Sequence, residues 1–182
     1  MRYISRNLDI FQQITLDIIV YKAIKTYAKY HFAMFIRLAN LDDAKDIAEH
    51  NVLLANESEK LDISFEKTLD GVKGVLSDPG KGFYLIAEED DAIVGQLMIT
   101  FEWSDWNNKT IWWLQSVYIR EKYRVKGIFK NLVEEIRKMA LEHNVDIIRL
   151  YVHNDNIKAI KTYKHMGMKK KPYAIYQLPL SL

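Results

Sequence analysis

The apolar residues of this chain recur with two periods, and the change from one to the other marks out its elements. FIRLA, Phe35 to Ala39, is a short apolar-rich run that reads as a first strand. Asn40 and Asp42 follow as cap residues, and Ala44, Ile47, Ala48 and Val52 then share one helical face. A second helix is predicted after Ser64, with Phe65, Leu69, Val72 and Leu76 on one side, until Pro79, Gly80 and Gly82 break the pattern. From Gly82 to Ile119 the period is that of strands. GFYLIAE and AIVGQLMITFEW flank the acidic turn Asp90-Asp91, SDWNN makes the next turn, and TIWWLQSVYI follows, so an antiparallel meander is expected. After Arg120 the helical period returns through Ile128, Leu132, Ile136 and Met139 or Ala140. DIIRLYV, Asp146 to Val152, reads as a buried strand. NIKAIKTYKHMG reads as a short helix that starts at Asn156 and stops at Gly167, and YAIYQL, Tyr173 to Leu178, as a closing strand.

The predicted order is therefore β-α-α-β-β-β-α-β-α-β. One central crossover among strands and helices implies a mixed central sheet with helices on both faces, an α/β (α+β) layer fold. It is expected to occupy residues 34–182 as one domain. Residues 1–33 stand apart. Phe11, Ile14, Ile18, Tyr21 and Ile24 recur at helical spacing, so this extension is expected to be helical or loosely ordered. Asp17 and Lys22 interrupt any membrane span, and no apolar core with a small-residue cleavage site marks a signal peptide. A further reading starts translation at Met34, where MFIRLANLDDA looks like the beginning of a domain.

Composition narrows the function classes. The 182 residues are 49% hydrophobic and 27% charged, the balance of an ordinary globular domain with a core of its own. A net charge of +2 is too small to argue for nucleic acid. The excess sits in residues 1–33, where Arg2, Arg6, Lys22, Lys25 and Lys29 face only Asp9 and Asp17. There is no cysteine, which removes disulfides and thiol chemistry and suits a reducing compartment such as the cytoplasm. The five histidines (His31, His50, His143, His153, His165) show no metal-ligand spacing.

Chemistry enters at VYIREKYRVKGIFKNLVEEIRK. A strand ends near Ile119, and a short loop carrying Arg120, Lys122, Arg124 and Lys126 opens a helix at Gly127. The first N–H groups of a helix have no internal partner and its dipole favours an anion there, so this junction suits a pyrophosphate. Gly127 removes a side chain where that anion approaches the backbone. The pattern is neither a nucleoside-triphosphate loop nor a dinucleotide fingerprint. A second motif lies in LYVHNDNIKAIKTYKHMGMK, where Asn156, Ala159, Tyr163 and Gly167 are spaced three, four and four residues apart. That spacing lines Asn156, Ala159 and Tyr163 along one helix stripe.

With both motifs in view, the chain resembles the GNAT superfamily of acyl-coenzyme A-dependent N-acetyltransferases. Arg124-Val125-Lys126-Gly127-Ile128-Phe129 matches that family's R/Q-x-x-G-x-G/A loop except at its last place. Asn156-x-x-Ala159-x-x-x-Tyr163-x-x-x-Gly167 matches its second motif. The resemblance implies acetyl-CoA as co-substrate, with no metal. Backbone groups of Val125, Lys126, Gly127, Ile128, Phe129 and Lys130 would hold its pyrophosphate, beside Arg124, and Asn156 would help fix the coenzyme. The strand through Val117, Tyr118 and Ile119 would splay from Asp146–Val152 to admit the pantetheine arm. A backbone N–H around Ser116 to Tyr118 would polarise the thioester carbonyl. A primary amine would attack directly, and Tyr163 would protonate the departing thiolate.

Two departures from the family pattern matter. Many members carry a glutamate base on the fourth strand, where this chain has Trp113. Glu102 acting through water is then the first candidate base, followed by Asp105 and Glu57. Phe129 stands where a small residue is usual, and must turn into the core if the loop is to work. These departures support an alternative, a non-catalytic acyl-CoA-binding or regulatory domain. FEWSDWNNKTIWW, which holds all four tryptophans, lies toward the far end of the strand that leads to the loop, where the acceptor must approach. Trp103, Trp106 and Trp113 with Glu102, Asp105 and Glu57 are expected to line that approach and to favour a small cationic amine. The partners expected are acetyl-CoA and the amine, with no nucleic acid and no membrane span, and a homodimer is left open.

Overall fold

The computed structural model describes residues 34–180, so the expectations for residues 1–33 lie outside it. These residues fall into two compact units that divide between Tyr151 and Val152. The first holds strands β1 (Phe35–Leu38), β2 (Phe83–Glu89), β3 (Ala92–Ser104), β4 (Lys109–Ile119) and β5 (Ile148–Arg149). Its helices are α1 (Ala44–Glu59), α2 (Phe65–Leu76) and α3 (Ile128–Glu142). The sheet order is β1-β2-β3-β4-β5; the pairs are antiparallel up to β4, and β5 joins β4 in parallel.

Strand alternation sends two apolar sets to opposite faces. Leu85, Leu97, Ile99, Trp112 and Leu114 meet Ile128, Leu132 and Ile136 of α3 on one side. Tyr84, Ile86 and Ile93 meet Ala44, Ile47 and Ala48 of α1 and Val72 of α2 on the other. Helices thus cover both faces, as the sequence predicts. Asn40 opens the first helical turn through a capping box with Asp43, and Ser64 caps α2 by accepting from the Lys67 N–H.

Two strand expectations are corrected. DIIRLYV is apolar enough for a full buried strand, yet its ladder holds only Trp112↔Ile148 and Trp113↔Arg149. The cause lies in β4. Met98 pairs with Gln115 and Gln96 pairs with Tyr118, so Ser116 and Val117 together oppose Leu97 in a β-bulge. The bulge lies just beyond the last β4–β5 pair.

The second unit contains α4 (Ile157–His165). Asn156 caps it by accepting from the Ala159 N–H at 3.1 Å, and Gly167 ends it at φ +84. YAIYQL is not a strand here: Tyr173, Ile175, Tyr176 and Leu178 are largely exposed, and no ladder among the described residues includes them. Its aromatic and β-branched residues suit a strand, but propensity is weak until a neighbouring strand takes up the backbone bonds.

Candidate active site

The β4 bulge makes the first part of the site. Ser116 sits at φ +49, a left-handed conformation unusual for a residue with a side chain. Among the described residues, no strand pairs with the β4 edge facing β5 from Leu114 to Ile119, because the β4–β5 pairing stops at Trp113↔Arg149. A row of backbone donors and acceptors is thereby offered along one strand, ending at Val117, Tyr118 and Ile119.

The loop after β4 makes the second part. Arg120 donates its backbone N–H to Val94 O at 2.9 Å, and a tight turn over Glu121–Tyr123 follows. Val125 then takes φ +64, fully exposed, and Gly127 takes φ +81 as the residue before α3. A β-branched residue held left-handed at the surface is costly, and such strain tends to persist where backbone groups are being aimed. No side chain caps α3, and its first turn carries no acidic residue. The first N–H groups of a helix have no partner within the helix itself, and its dipole favours an anion there. A Cβ placed on Gly127 would meet nothing within 4 Å, so the space above the helix start is open. These features fit a pyrophosphate.

Phe129 turns aside and packs against the α3-side core, as the loop requires. Gly95 on β3 was not singled out from the sequence. A Cβ there would meet Ile119 Cδ1 at 2.5 Å and Ile128 Cγ2 at 3.1 Å, so its glycine lets the loop ends settle over the sheet.

Arg124 does not reach outward. Its Nε donates to Ile119 O at 2.8 Å, its guanidinium pairs with Glu57, and it lies over the Tyr118 ring at 5.5 Å. Glu57 also accepts from the Tyr118 hydroxyl at 3.1 Å. Burial, and then the nearby Glu57 charge, push the Tyr118 hydroxyl above its ordinary pKa. Glu57 thus ties α1 to the loop and stands apart from the other acceptor-side candidates.

Those candidates separate further. Trp112 is buried against the α3-side core, while Trp113 faces the other way and donates its indole N–H to Glu102. Arg149 donates to the second Glu102 oxygen at 2.9 Å and lies 6.0 Å from the Trp113 ring. Tyr151 packs on Trp113 with ring centroids 6.1 Å apart. Arg149 was missed in the sequence because it lies 47 residues from Glu102, and only the β4–β5 register joins them. Asp105 instead serves the hairpin turn, accepting from the Trp106 N–H, and Trp106 is 93% exposed. A shallow depression of about 160 Å³ among Asn107, Lys109, Thr110 and Asp146 lies at the start of β4, away from the bulge. In the second unit, burial raises the Tyr163 hydroxyl above its ordinary pKa, which keeps it protonated and able to donate. Among the described residues no group of histidines or carboxylates is placed to hold a metal ion, and no helix is long and apolar enough to cross a membrane.

Gly127→Ala tests the loop directly. A side chain at φ +81 is strained by about 1–2 kcal/mol and also intrudes on the anion's approach. The expected result is a CoA dissociation constant raised about tenfold by titration calorimetry, with the fold retained. Unchanged affinity would remove the loop from the coenzyme site.

The comparisons agree with this geometry. The model of the acetyltransferase (GNAT) family matches residues 41–168. The crystal structure of a possible acetyltransferase from Clostridium difficile 630 superposes with a TM-score of 0.77 at 38% identity, covering 82% of this chain and 99% of that one. A predicted acetyltransferase from Clostridium acetobutylicum, solved with acetyl-CoA, shares the fold with a TM-score of 0.69 at 18% identity, covering 80% and 96%. Thialysine N-epsilon-acetyltransferase of Bos taurus is 28% identical over 96 residues, 53% of this chain and 52% of that protein. The chain spans about half the length of the curated relatives it matches. A family match over most of the described residues, on a sheet with this bulge and this loop, places the chain in the GNAT acetyltransferase family.

Proposed function

We propose that this protein is an N-acetyltransferase that moves the acetyl group of acetyl-CoA to a primary amine by direct attack. The observation that carries the reading is the unladdered β4 edge, running from the end of the β5 pairing through the Ser116 bulge to an uncapped helix. In this reading the backbone of Val125 to Lys130 binds the pyrophosphate, with Asn156 assisting, and Val117 to Ile119 bind the pantetheine arm. A backbone N–H at the bulge holds the thioester oxygen as it gains charge. The amine nitrogen forms the new C–N bond as the C–S bond breaks. Its surplus proton leaves through a base, and Tyr163 protonates the thiolate. The support for Tyr163 is its place in the second motif and its protonated state.

The acceptor is proposed to be a small cationic amine. Glu102 would draw its charge and Trp113 would offer a π face. Glu102, through water, is also the base that the sequence suggests. Arg149 and the Trp113 indole engage both its oxygens and fix where the carboxylate sits. A thialysine N-epsilon-acetyltransferase among the relatives fits an acceptor of this kind. The cysteine-free sequence suits the cytoplasm as the place of action.

An amine panel of polyamines, basic amino acids and N-terminal peptides, read by release of free thiol from acetyl-CoA, tests this. A cationic small amine should give the highest kcat/KM. Glu102→Gln should raise its KM about tenfold, from loss of a charged hydrogen bond. Normal CoA binding without turnover on any amine would sink the enzymatic reading.

A further inference from the structure

The α1-side face of the sheet contains a run of buried polar side chains that the reaction does not use. Gln96 lies in the middle of β3 and is fully buried, and His50 on α1 is 1% exposed. Gln96 Oε1 is 2.9 Å from His50 Nδ1, and the Gln96 amide donates to Asn51 Oδ1 at 2.8 Å. The Asn51 amide donates to the Tyr84 hydroxyl at 3.1 Å, and Ser116 lies beside that hydroxyl. At the other end, Arg120 Nε donates to His50 Nε2 at 2.8 Å. An arginine can only donate, so His50 Nε2 accepts, Nδ1 carries the proton, and the ring is neutral. Tyr84, Asn51, Gln96, His50 and Arg120 are joined in one hydrogen-bonded run across β2, α1 and β3 to the loop after β4, with Ser116 of β4 beside its Tyr84 end.

Its two ends are the informative feature. One is the strained bulge residue, where the thioester oxygen is to be held. The other is the first residue of the pyrophosphate loop. A buried polar run is costly unless every member is bonded, and an apolar core would serve packing alone at least as well. Among the described residues no buried side-chain N or O atom lacks a partner, so this run is fully satisfied. Tyr118, between the two ends, packs against His50 with tilted rings whose centroids are 5.0 Å apart.

We propose that these side chains are positioning residues, a buried strut that holds the β4 bulge and the phosphate loop at the separation one coenzyme molecule requires. The proposal rests on the coenzyme site described above. Coenzyme affinity then depends on the Arg120 end and the rate of acetyl transfer on the Ser116 end.

Two small substitutions separate the ends. Tyr84→Phe removes only the hydroxyl that meets Ser116 and Asn51. It should lower kcat about tenfold while the dissociation constant of CoA stays within about twofold. His50→Leu removes the acceptor for Arg120 and should raise the CoA dissociation constant about tenfold. His50→Gln can accept from Arg120 and donate to Gln96, and should restore most of that affinity. Val72→Ala, in the same core but off the strut, is the control for general loosening.

Acid adds a second readout. Burial, with Arg120 opposing a second positive charge and Asp46 favouring one, holds the His50 pKa below 6.5. The neutral ring is therefore intact above that pH, and the Arg120 bond is lost as pH falls through the lower folded value. Arg120, Asp46 and the Tyr118 ring are the charged or titratable groups that face it. Wild-type CoA affinity should fall more steeply in acid than that of His50→Gln.

Calorimetric CoA titration and kcat with the best amine of the panel, on the full chain, decide the matter. The split between the two ends with rescue by His50→Gln supports the strut. The same split in Val72→Ala, or no split at all, overturns it. Wild-type protein that fails to bind CoA would overturn the site reading and the strut together, whereas binding without the split overturns the strut alone.

Discussion

Tyr163→Phe is expected to reduce kcat by about 10²-fold or more, with CoA affinity unchanged, because in the proposed mechanism only the proton donated to the leaving thiolate is lost. The phenyl ring keeps the volume and the apolar surface of the tyrosine, so α4 should retain its cap at Asn156 and its stop at Gly167. The hydroxyl of Tyr163 is held above its ordinary pKa by burial, so it is a neutral donor at working pH. Its ionisation should appear only on the alkaline limb of the kcat profile, above the ordinary tyrosine value, and Tyr163→Phe should flatten that limb. The measurement is steady-state kinetics against pH beside calorimetric CoA titration. Full activity in a folded Tyr163→Phe protein would leave the thiolate to be protonated by solvent. It would also cut the strongest link between the second motif and the chemistry.

The parts of this site that rest on local spacing were legible in the sequence. The α3 stripe and the Gly127 junction each follow from a few adjacent residues, while the turn of Phe129 into the core depends on packing that those residues do not show. The parts that depend on register were not. The Ser116 bulge exists because Gln115 and Tyr118 pair two residues apart on β3, and nothing in TIWWLQSVYI announces it. The same offset shortens β5, so a run apolar enough for a full strand forms two ladder pairs. Arg149 reaches Glu102 only through that short ladder. The strut left fainter marks. Gln96 interrupts the apolar run AIVGQLMI, and His50 falls on the buried face set by Ala44, Ile47 and Ala48. Read together, a polar residue on each of two facing apolar surfaces implies that they bond to each other.

The largest stability effect is expected from Arg37→Leu, at the opposite end of α1 from Glu57. Arg37 donates to both Asp43 oxygens at 2.7 and 2.8 Å and to Glu88 at 2.8 Å, and both carboxylates are buried. Burial alone would lower the guanidinium pKa, but the bonds to Asp43 and then Glu88 outweigh it and raise the value. Leucine fills part of the space but takes the guanidinium away from the buried Asp43 and Glu88 carboxylates, a change that costs about 3–5 kcal/mol. The expected fall in melting temperature is roughly 10 °C for a domain of this size. Arg37→Leu combined with Asp43→Asn and Glu88→Gln should recover part of it, since the uncompensated charge is then gone. Full loss in the triple variant would place the cost in packing instead. The consequence extends to the site. Asp43 accepts from the Asn40 N–H and immediately precedes α1, so the Arg37 cluster fixes where that helix starts on the sheet. His50 and Asn51 follow two turns later and Glu57 two turns beyond them. Loosening the Arg37 cluster should therefore weaken CoA binding even below the melting transition, although Arg37 lies on β1, at the opposite edge of the sheet from β5.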